Sequence, residues 1–490
     1  MTTRGLNRRK FLGRIAQSAL ATVVVGRASR QMAASASIPA SIKPTSVVVI
    51  GAGLSGLYSA LLLEAKGISV TVLEARDRVG GRIYTLDDLP GKPEAGGQSF
   101  SETYQRLLTL AEKLKVPLEP RQPLDRALLL HINGQSVLTP DWSTSSANQL
   151  AESERSIVPP RLLTHYLRPN NPLEDATAWT SPTHFDLDIP LDDYMLAQGA
   201  SPEALRLMNV YPFSMNSLET ASALWAFKND QRAQTPSKTI MHVKGGNSRL
   251  PEQMAASLNS VVQTKKVVTA IRSQETGVEV YCSDREAWPK AFGSTFQADY
   301  VVCTLPFSVL RQVEIDPPLE GAQAEAVKEL PYTIITQVYV SVTNPFWEED
   351  GQPIRMWTDS VLELVFPHKD ASGKLQSLTC WANGASAKKL DAMSEQELGQ
   401  FVKAELKRIR PATEGNVEIA RVVSWGSDPY AQGAYAHFAP GQIRGFQDKM
   451  AKPWNRIHFA GEHTAIASAG IESALESAER VAGEILARVV

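Results

Sequence analysis

The sequence predicts an α/β (α+β) chain in which a parallel-sheet unit is interleaved with a second unit of mixed sheet plus helices. Three observations carry that prediction. Residues 46–82 read strand, glycine-rich turn, helix, strand, the start of a parallel βαβ unit. Apolar runs of strand length return far along the chain, at 266–271, 278–281, 300–306 and 457–459, and read as strands that complete the first sheet after long insertions. Between 331 and 346 every second residue (Ile334, Thr336, Val338, Val340, Val342) marks an alternating pattern, which predicts a half-exposed strand of a second sheet.

The opening run Val47, Val48, Val49 and Ile50 has the composition of a strand covered on both faces. Gly51-Ala52-Gly53-Leu54-Ser55-Gly56 follows, then a helical period through Leu57, Ala60, Leu61 and Glu64. Gly67 breaks that helix, and a second apolar strand from Val70 to Leu73 ends on Glu74. Each part has a physical job in a Rossmann-like dinucleotide site. Gly51 permits the tight strand-to-helix turn, Gly53 lets backbone amides approach a pyrophosphate, and Gly56 lets helix and sheet pack closely. The helix N-terminus supplies unpaired N–H groups and a positive dipole end. Glu74, roughly 20 residues beyond the glycines, is placed for ribose hydroxyls. Glycine-rich turns also occur without a ligand. The ordered set of strand, helix, second strand and terminal acid is what points to an adenine dinucleotide.

With 490 residues the chain is long enough for two domains with sizeable cores. A net charge of -2 and a pI near 6.5 give no basic footprint for nucleic acid. Cys282, Cys303 and Cys380 are scattered without CxxC spacing, and the histidines do not cluster, so no disulfide framework and no metal site is expected. Residues 1–36 read as a targeting segment. Asn7-Arg8-Arg9-Lys10-Phe11-Leu12-Gly13 has the twin-arginine form, the apolar stretch from Ile15 to Gly26 is too short to span a bilayer, and Ala34-Ser35-Ala36 fits a cleavage site. A disordered basic tail is the alternative. The targeting reading implies the twin-arginine translocation machinery as a partner and a periplasmic or secreted mature protein.

Further on, Glu94-Ala95-Gly96-Gly97-Gln98 puts paired glycines where backbone can approach a ligand closely. A helical period covers 102–115, through Tyr104, Leu107, Leu110 and Leu114. Residues 116–235 are irregular and proline-rich, with short amphipathic pieces at 203–209 and 218–228, and read as a mainly helical insertion. Gly245-Gly246 leads into a helix through Met254 and Leu258. Segment 354–382 adds strands, 394–409 is an amphipathic helix, and Gly461-Glu462 closes a strand before a helix over 471–489. The expected division is 44–101, 236–304 and 424–490 for the dinucleotide unit, with 102–235 and 305–423 for the substrate unit.

Glu74-Ala75-Arg76-Asp77-Arg78-Val79-Gly80-Gly81-Arg82 extends the glycine motif as in FAD-containing amine oxidases. Other blocks agree in order: Gly245-Gly246, 330–347 ending in Pro345-Phe346-Trp347, and 425–441 with Phe459-Ala460-Gly461-Glu462-His463-Thr464. The chain therefore resembles the FAD-dependent amine oxidases, the group of monoamine, polyamine and L-amino-acid oxidases, most weakly between 116 and 235. The resemblance implies FAD, with Glu74 on the adenosine ribose and Arg76, Gly81 and Arg82 by the adenosine-phosphate part. It implies Val268 at the adenine through its backbone, Gly461 and Glu462 at the ribityl-pyrophosphate, and Gly97, Gln98 and the backbone of Ile471 near the isoalloxazine. Tyr435 matches one wall of an aromatic cage that holds the amine, and Trp425 a tryptophan packing near the ring; Tyr435 also reads as an ordinary core aromatic.

Departures from the family pattern matter as much. Ala434 stands where monoamine oxidases carry the cysteine bonded to the flavin, which implies non-covalent FAD. Gly470 aligns with the second aromatic wall, Gln337 with a lysine associated with oxygen reactivity, and Ser99 with an arginine that binds a substrate carboxylate, for which Arg355 is the substitute suggested. The expected function is oxidative deamination of an L-amino acid or other amine, with O2 as acceptor and hydrogen peroxide as product. A dehydrogenase passing electrons to a redox carrier is the rival, followed by desaturation of a carotenoid- or porphyrinogen-like molecule, and last a non-catalytic FAD-binding protein. A homodimer is left open.

Overall fold

The computed structural model describes residues 45–121, 127–212, 214–234, 237, 239–284, 293–370 and 373–489. The expected targeting segment, 1–36, lies outside them.

The opening motif folds as its pattern requires. Strand β1 (Ser46–Ile50), helix α1 (Leu54–Glu64) and strand β2 (Ser69–Leu73) form a parallel unit, with Val48 opposite Thr71. Strand β3 (Tyr300–Cys303) flanks β1 on its other side and β4 (Ile457–Phe459) flanks β3, giving the all-parallel order β2–β1–β3–β4. Val47 to Ile50 are at most 2 % exposed, so the apolar run is covered on both faces. Helix α1 is buried almost all round because α2 (Gly470–Val489) packs along it, the Ser55 and Ser477 hydroxyls meeting at 2.9 Å. The four strands end on Gly51, Glu74, Thr304 and the Gly461-Glu462 pair. Those carboxyl ends form the rim where open parallel sheets take ligands.

Three expectations are corrected. Of the returning runs, 300–303 and 457–459 complete the parallel sheet and the other two do not. Lys266–Ser273 and Val278–Asp284 pair antiparallel in a separate four-stranded sheet with Thr295–Ala298 and Glu314–Asp316. The connection between them is too short for a parallel crossover. The insertion over 116–235 is helical in large part, yet Leu129–Ile132 and Gln135–Leu138 form a hairpin that extends the second sheet. Its turn, Asn133-Gly134, has φ of 53° and 75°, the positive-φ pair that a two-residue hairpin needs.

The strand Ile335–Val342 is not half exposed but buried through its first six residues. It runs inside a seven-stranded sheet, between Val417–Ser424 and Leu375–Asn383. The alternation separates two buried faces. Val338 and Val340 join one core cluster while Ile335 and Tyr339 join another, against Ala95 and Trp425.

Glu363, 2 % exposed, sits in this sheet region and accepts from the backbone and side-chain amides of Asn383 at 3.0 and 2.8 Å. Burial pushes its carboxyl up to about 8. Between the ordinary value of 4.5 and that point the unfolded chain is ionised while the folded chain keeps the proton, so stability falls as pH rises through this window. Glu363→Gln is expected to leave the melting temperature unchanged near pH 5 and to raise it by a few degrees near pH 8, at up to about 1.4 kcal/mol per pH unit. Melts over a pH series check this, and a difference independent of pH would contradict it.

Candidate functional site

A cavity of about 540 Å³ starts at the carboxyl ends of the parallel strands and reaches the face of the second sheet. Every residue read from the sequence as cofactor-binding lines it except Ala52 and Gly56. Tyr435, Gln337, Gly470 and Trp425 line it too, as does Ser99, whereas Arg355 does not. Arg355 precedes Met356–Thr358, and its backbone carbonyl accepts from Leu129 on the hairpin side of the sheet.

The glycine turn is shaped by contacts that leave no room for side chains. Gly51 has φ +99°, and a Cβ there would lie 2.5 Å from the Thr304 hydroxyl. At Gly56 it would lie 1.9 Å from the carbonyl oxygen of Gly51. Gly53 differs: nothing stands within 4 Å of its missing Cβ, because that direction is open cavity. Helix α1 starts there without a side-chain cap, so its first N–H groups face the space a phosphate would fill. The Gln98 amide nitrogen is buried, belongs to a cavity-lining residue and has no partner among the described residues, as expected of a donor awaiting a ligand. These features fit a dinucleotide.

Glu74 does more than its spacing suggests. One carboxylate oxygen accepts from the Ala52 amide at 2.8 Å and the other from the Arg76 amide at 2.9 Å, tying the glycine turn to the end of β2. Each oxygen keeps a second lone pair for a ribose hydroxyl. Arg76 donates to Asp428 at 2.6 Å and lies over the Tyr430 ring. Arg82 donates to Glu462 at 3.0 Å and to the Ala434 carbonyl at 2.7 Å, while Glu462 also accepts from the Ala436 amide. Arg76 with Asp428 and Arg82 with Glu462 are thus ion-paired within the protein.

Trp425 and Gln337 converge on one acceptor, the Ala95 carbonyl, at 2.8 and 2.6 Å. Gln337 is fully buried, and its carbonyl accepts from Tyr339 at 2.6 Å. Burial pushes the Tyr435 hydroxyl up to about 12 against the opposing hydrogen bond with Ser214, so the phenol is neutral. His463 packs on Phe307 with ring centroids 4.4 Å apart. Burial keeps it uncharged, with its value down near 3.

Sequence reasoning missed Tyr104, Tyr211, Ser214, Lys266, Trp381 and Tyr430, all of which line the cavity. Tyr104 ends the loop before the helix Gln105–Leu114, where the periodicity suggested a core position. Its hydroxyl lies 3.5 Å from where a Gly470 Cβ would be. No local pattern links positions so far apart in the chain. Among the described residues no three His, Cys, Asp or Glu side chains gather as a metal site. The three cysteines, all buried, stand away from the cavity lining, which leaves FAD without a described thiol to bond.

The family profile for flavin-containing amine oxidoreductases matches residues 54–486. An L-amino-acid oxidase from the fish Siganus canaliculatus is 26% identical over 457 residues, covering 90% of this chain and 85% of its own. Among solved structures, wild-type putrescine oxidase bound to putrescine has a TM-score of 0.72 at 23% identity, covering 91% of this chain and 100% of its own. Cyclohexylamine oxidase from Brevibacterium oxydans IH-35A reaches 0.73 at 20% identity, covering 91% and 99%. The two structures share the fold. Taken with the dinucleotide cradle and the aromatic end of its cavity, the match makes this chain a member of the flavin-containing amine oxidoreductases, an FAD-dependent amine oxidoreductase.

Proposed function

We propose that this enzyme is an exported oxidase that converts an amine to an imine, with water then releasing ammonia and a carbonyl product, and O2 leaving as hydrogen peroxide. FAD, when bound, supplies the hydride acceptor at N5. The observation that carries the reading is a single cavity joining the dinucleotide cradle to an aromatic chamber. The chain's own work is positioning. Glu74, Arg76, Arg82, Glu462, Gln98 and the backbone of Val268 and Ile471 hold the cofactor. Trp425 and Gln337 brace the strand Glu94–Gly96 beside it. Tyr435, neutral and tied to Ser214, supplies an aromatic wall for the amine. Among the described residues the one carboxylate beside Tyr435, Glu462, is already paired with Arg82, so the substrate is received in its neutral form, whose nitrogen lone pair assists hydride loss.

A dehydrogenase is the second reading, supported by Gln337: both ends of its amide are engaged by protein, where the family usually has a lysine. Segments 44–101, 236–304 and 424–490 are assigned to the cofactor unit on the same grounds, and export rests on Arg8 and Arg9. Anaerobic mixing of the yellow protein with amines, followed by air, tests the set. Bleaching followed by fast recovery with peroxide supports the oxidase. Bleaching with recovery only on adding an electron carrier supports the dehydrogenase. No bleaching by any amine would sink both.

A further inference from the structure

We propose that the substrate is an amine carrying no second charge, with an apolar body, and that α-amino acids and diamines are rejected. The inference rests on the amine reading and narrows it. The ionised side chains of the described cavity lining stand at the cradle and in the Arg82–Glu462 pair, which borders Tyr435 through the Ala434 carbonyl and the Ala436 amide. Glu74, Arg76 and Lys266 stand around the glycine turn and the ends of β2 and the neighbouring sheet, while Arg82 and Glu462 are paired to each other at 3.0 Å. Past that pair the described lining has no ionised side chain. It is walled by Tyr104, Tyr211, Trp381 and Tyr435, with Ser99 and Ser214 as small polar groups.

The ionisable groups nearest the chamber are engaged within the protein: Glu462 by Arg82 and the Ala436 amide, and Lys228, outside the cavity lining, by the Trp179 and Trp225 rings. Arg82 already serves Glu462 and the Ala434 carbonyl. Glu363, whose charge would reach Tyr211, is bonded to Asn383 and keeps its proton up to about pH 8 because it is buried. Tyr435 and Tyr211 are both neutral, since burial raises both hydroxyls. A substrate carboxylate in this chamber would lose its water and gain no cation, and a second ammonium would gain no anion.

The body is constrained by the same walls. Gly470, at φ +60°, leaves a gap that the Tyr104 hydroxyl borders at 3.5 Å, so an aromatic from a different segment lines the cavity beside the missing side chain. Aromatic side chains from several segments favour a flat or chain-like apolar group.

The test uses the holoenzyme and matched ligands in anaerobic flavin bleaching. 2-Phenylethylamine, L-phenylalaninamide and L-phenylalanine share one body, and hexylamine and 1,6-diaminohexane share another. The expected result is that the amide and both monoamines bleach the flavin. L-Phenylalanine and the diamine should need at least about a hundredfold higher concentration for the same rate. Phenylalanine acting at or below the concentration of its amide would overturn the inference while leaving the amine reading intact, and the diamine matching hexylamine would do the same. If none bleaches while dithionite does, the amine reading itself falls and takes this inference with it.

Discussion

A Gly56→Val variant is expected to purify colourless and to melt well below the wild-type protein. The first atom of any side chain at this position would lie 1.9 Å from the Gly51 carbonyl oxygen and 3.2 Å from a methyl of Val49. The obstruction is backbone, so no rotamer relieves it. Helix α1 must move off β1, and both carry the core that α2 covers. Overpacking that side chains can absorb costs about 1–3 kcal/mol, and a displaced helix costs more. Gly53→Ala separates the fold from the cofactor. That residue has φ -74°, and nothing lies within 4 Å of the added methyl. The apo protein should fold normally, while the methyl occupies the cradle and weakens FAD binding by at least about tenfold, or ~1.4 kcal/mol. Flavin titration and melts of both apo proteins check the pair. Equal FAD affinity in Gly53→Ala and wild type would show that the cradle is not where the phosphates sit.

Removing one partner of the internal ion pair is the second large effect. Arg82→Ala takes the compensating cation from Glu462 and a donor from the Ala434 carbonyl, in a region where the two side chains are only 23% and 15% exposed. An uncompensated charge of this kind costs about 3–5 kcal/mol when fully buried, and somewhat less here because some solvent reaches the pair. FAD should dissociate readily and the melting temperature should drop by several degrees. Adding Glu462→Gln to Arg82→Ala removes the stranded charge and is expected to recover part of the stability without recovering FAD. A double variant no more stable than Arg82→Ala would show that lost contacts, not lost charge compensation, are responsible.

The parts legible in the sequence share one property: their information is local. The run Val47 to Ile50, the three glycines and Glu74 lie within one βαβ unit, so spacing alone fixes which atoms face the ligand. The helix Glu395–Ile409 could be read in the same way, down to the Ser394–Glu397 capping box that starts it. The hairpin at Asn133-Gly134 carried an equally local signal, obscured by the irregular, proline-rich stretch around it.

Alternation in 335–342 misled because a period of two reports only that the two faces differ. It does not say whether the second face meets water or another buried layer, and here the second layer is Ala95 and Trp425. By itself, then, the sequence determined that this protein carries a dinucleotide cradle at the carboxyl edge of a parallel sheet. Only the tertiary structure decided the chamber beyond it. Tyr104, Tyr211, Trp381, Tyr435 and Gly470 come from segments that the chain keeps far apart, and the packing of one sheet against the other brings them to one wall. The same packing buries those side chains, engages the amide of Gln337 and pairs Arg82 with Glu462, and so leaves that wall without charge.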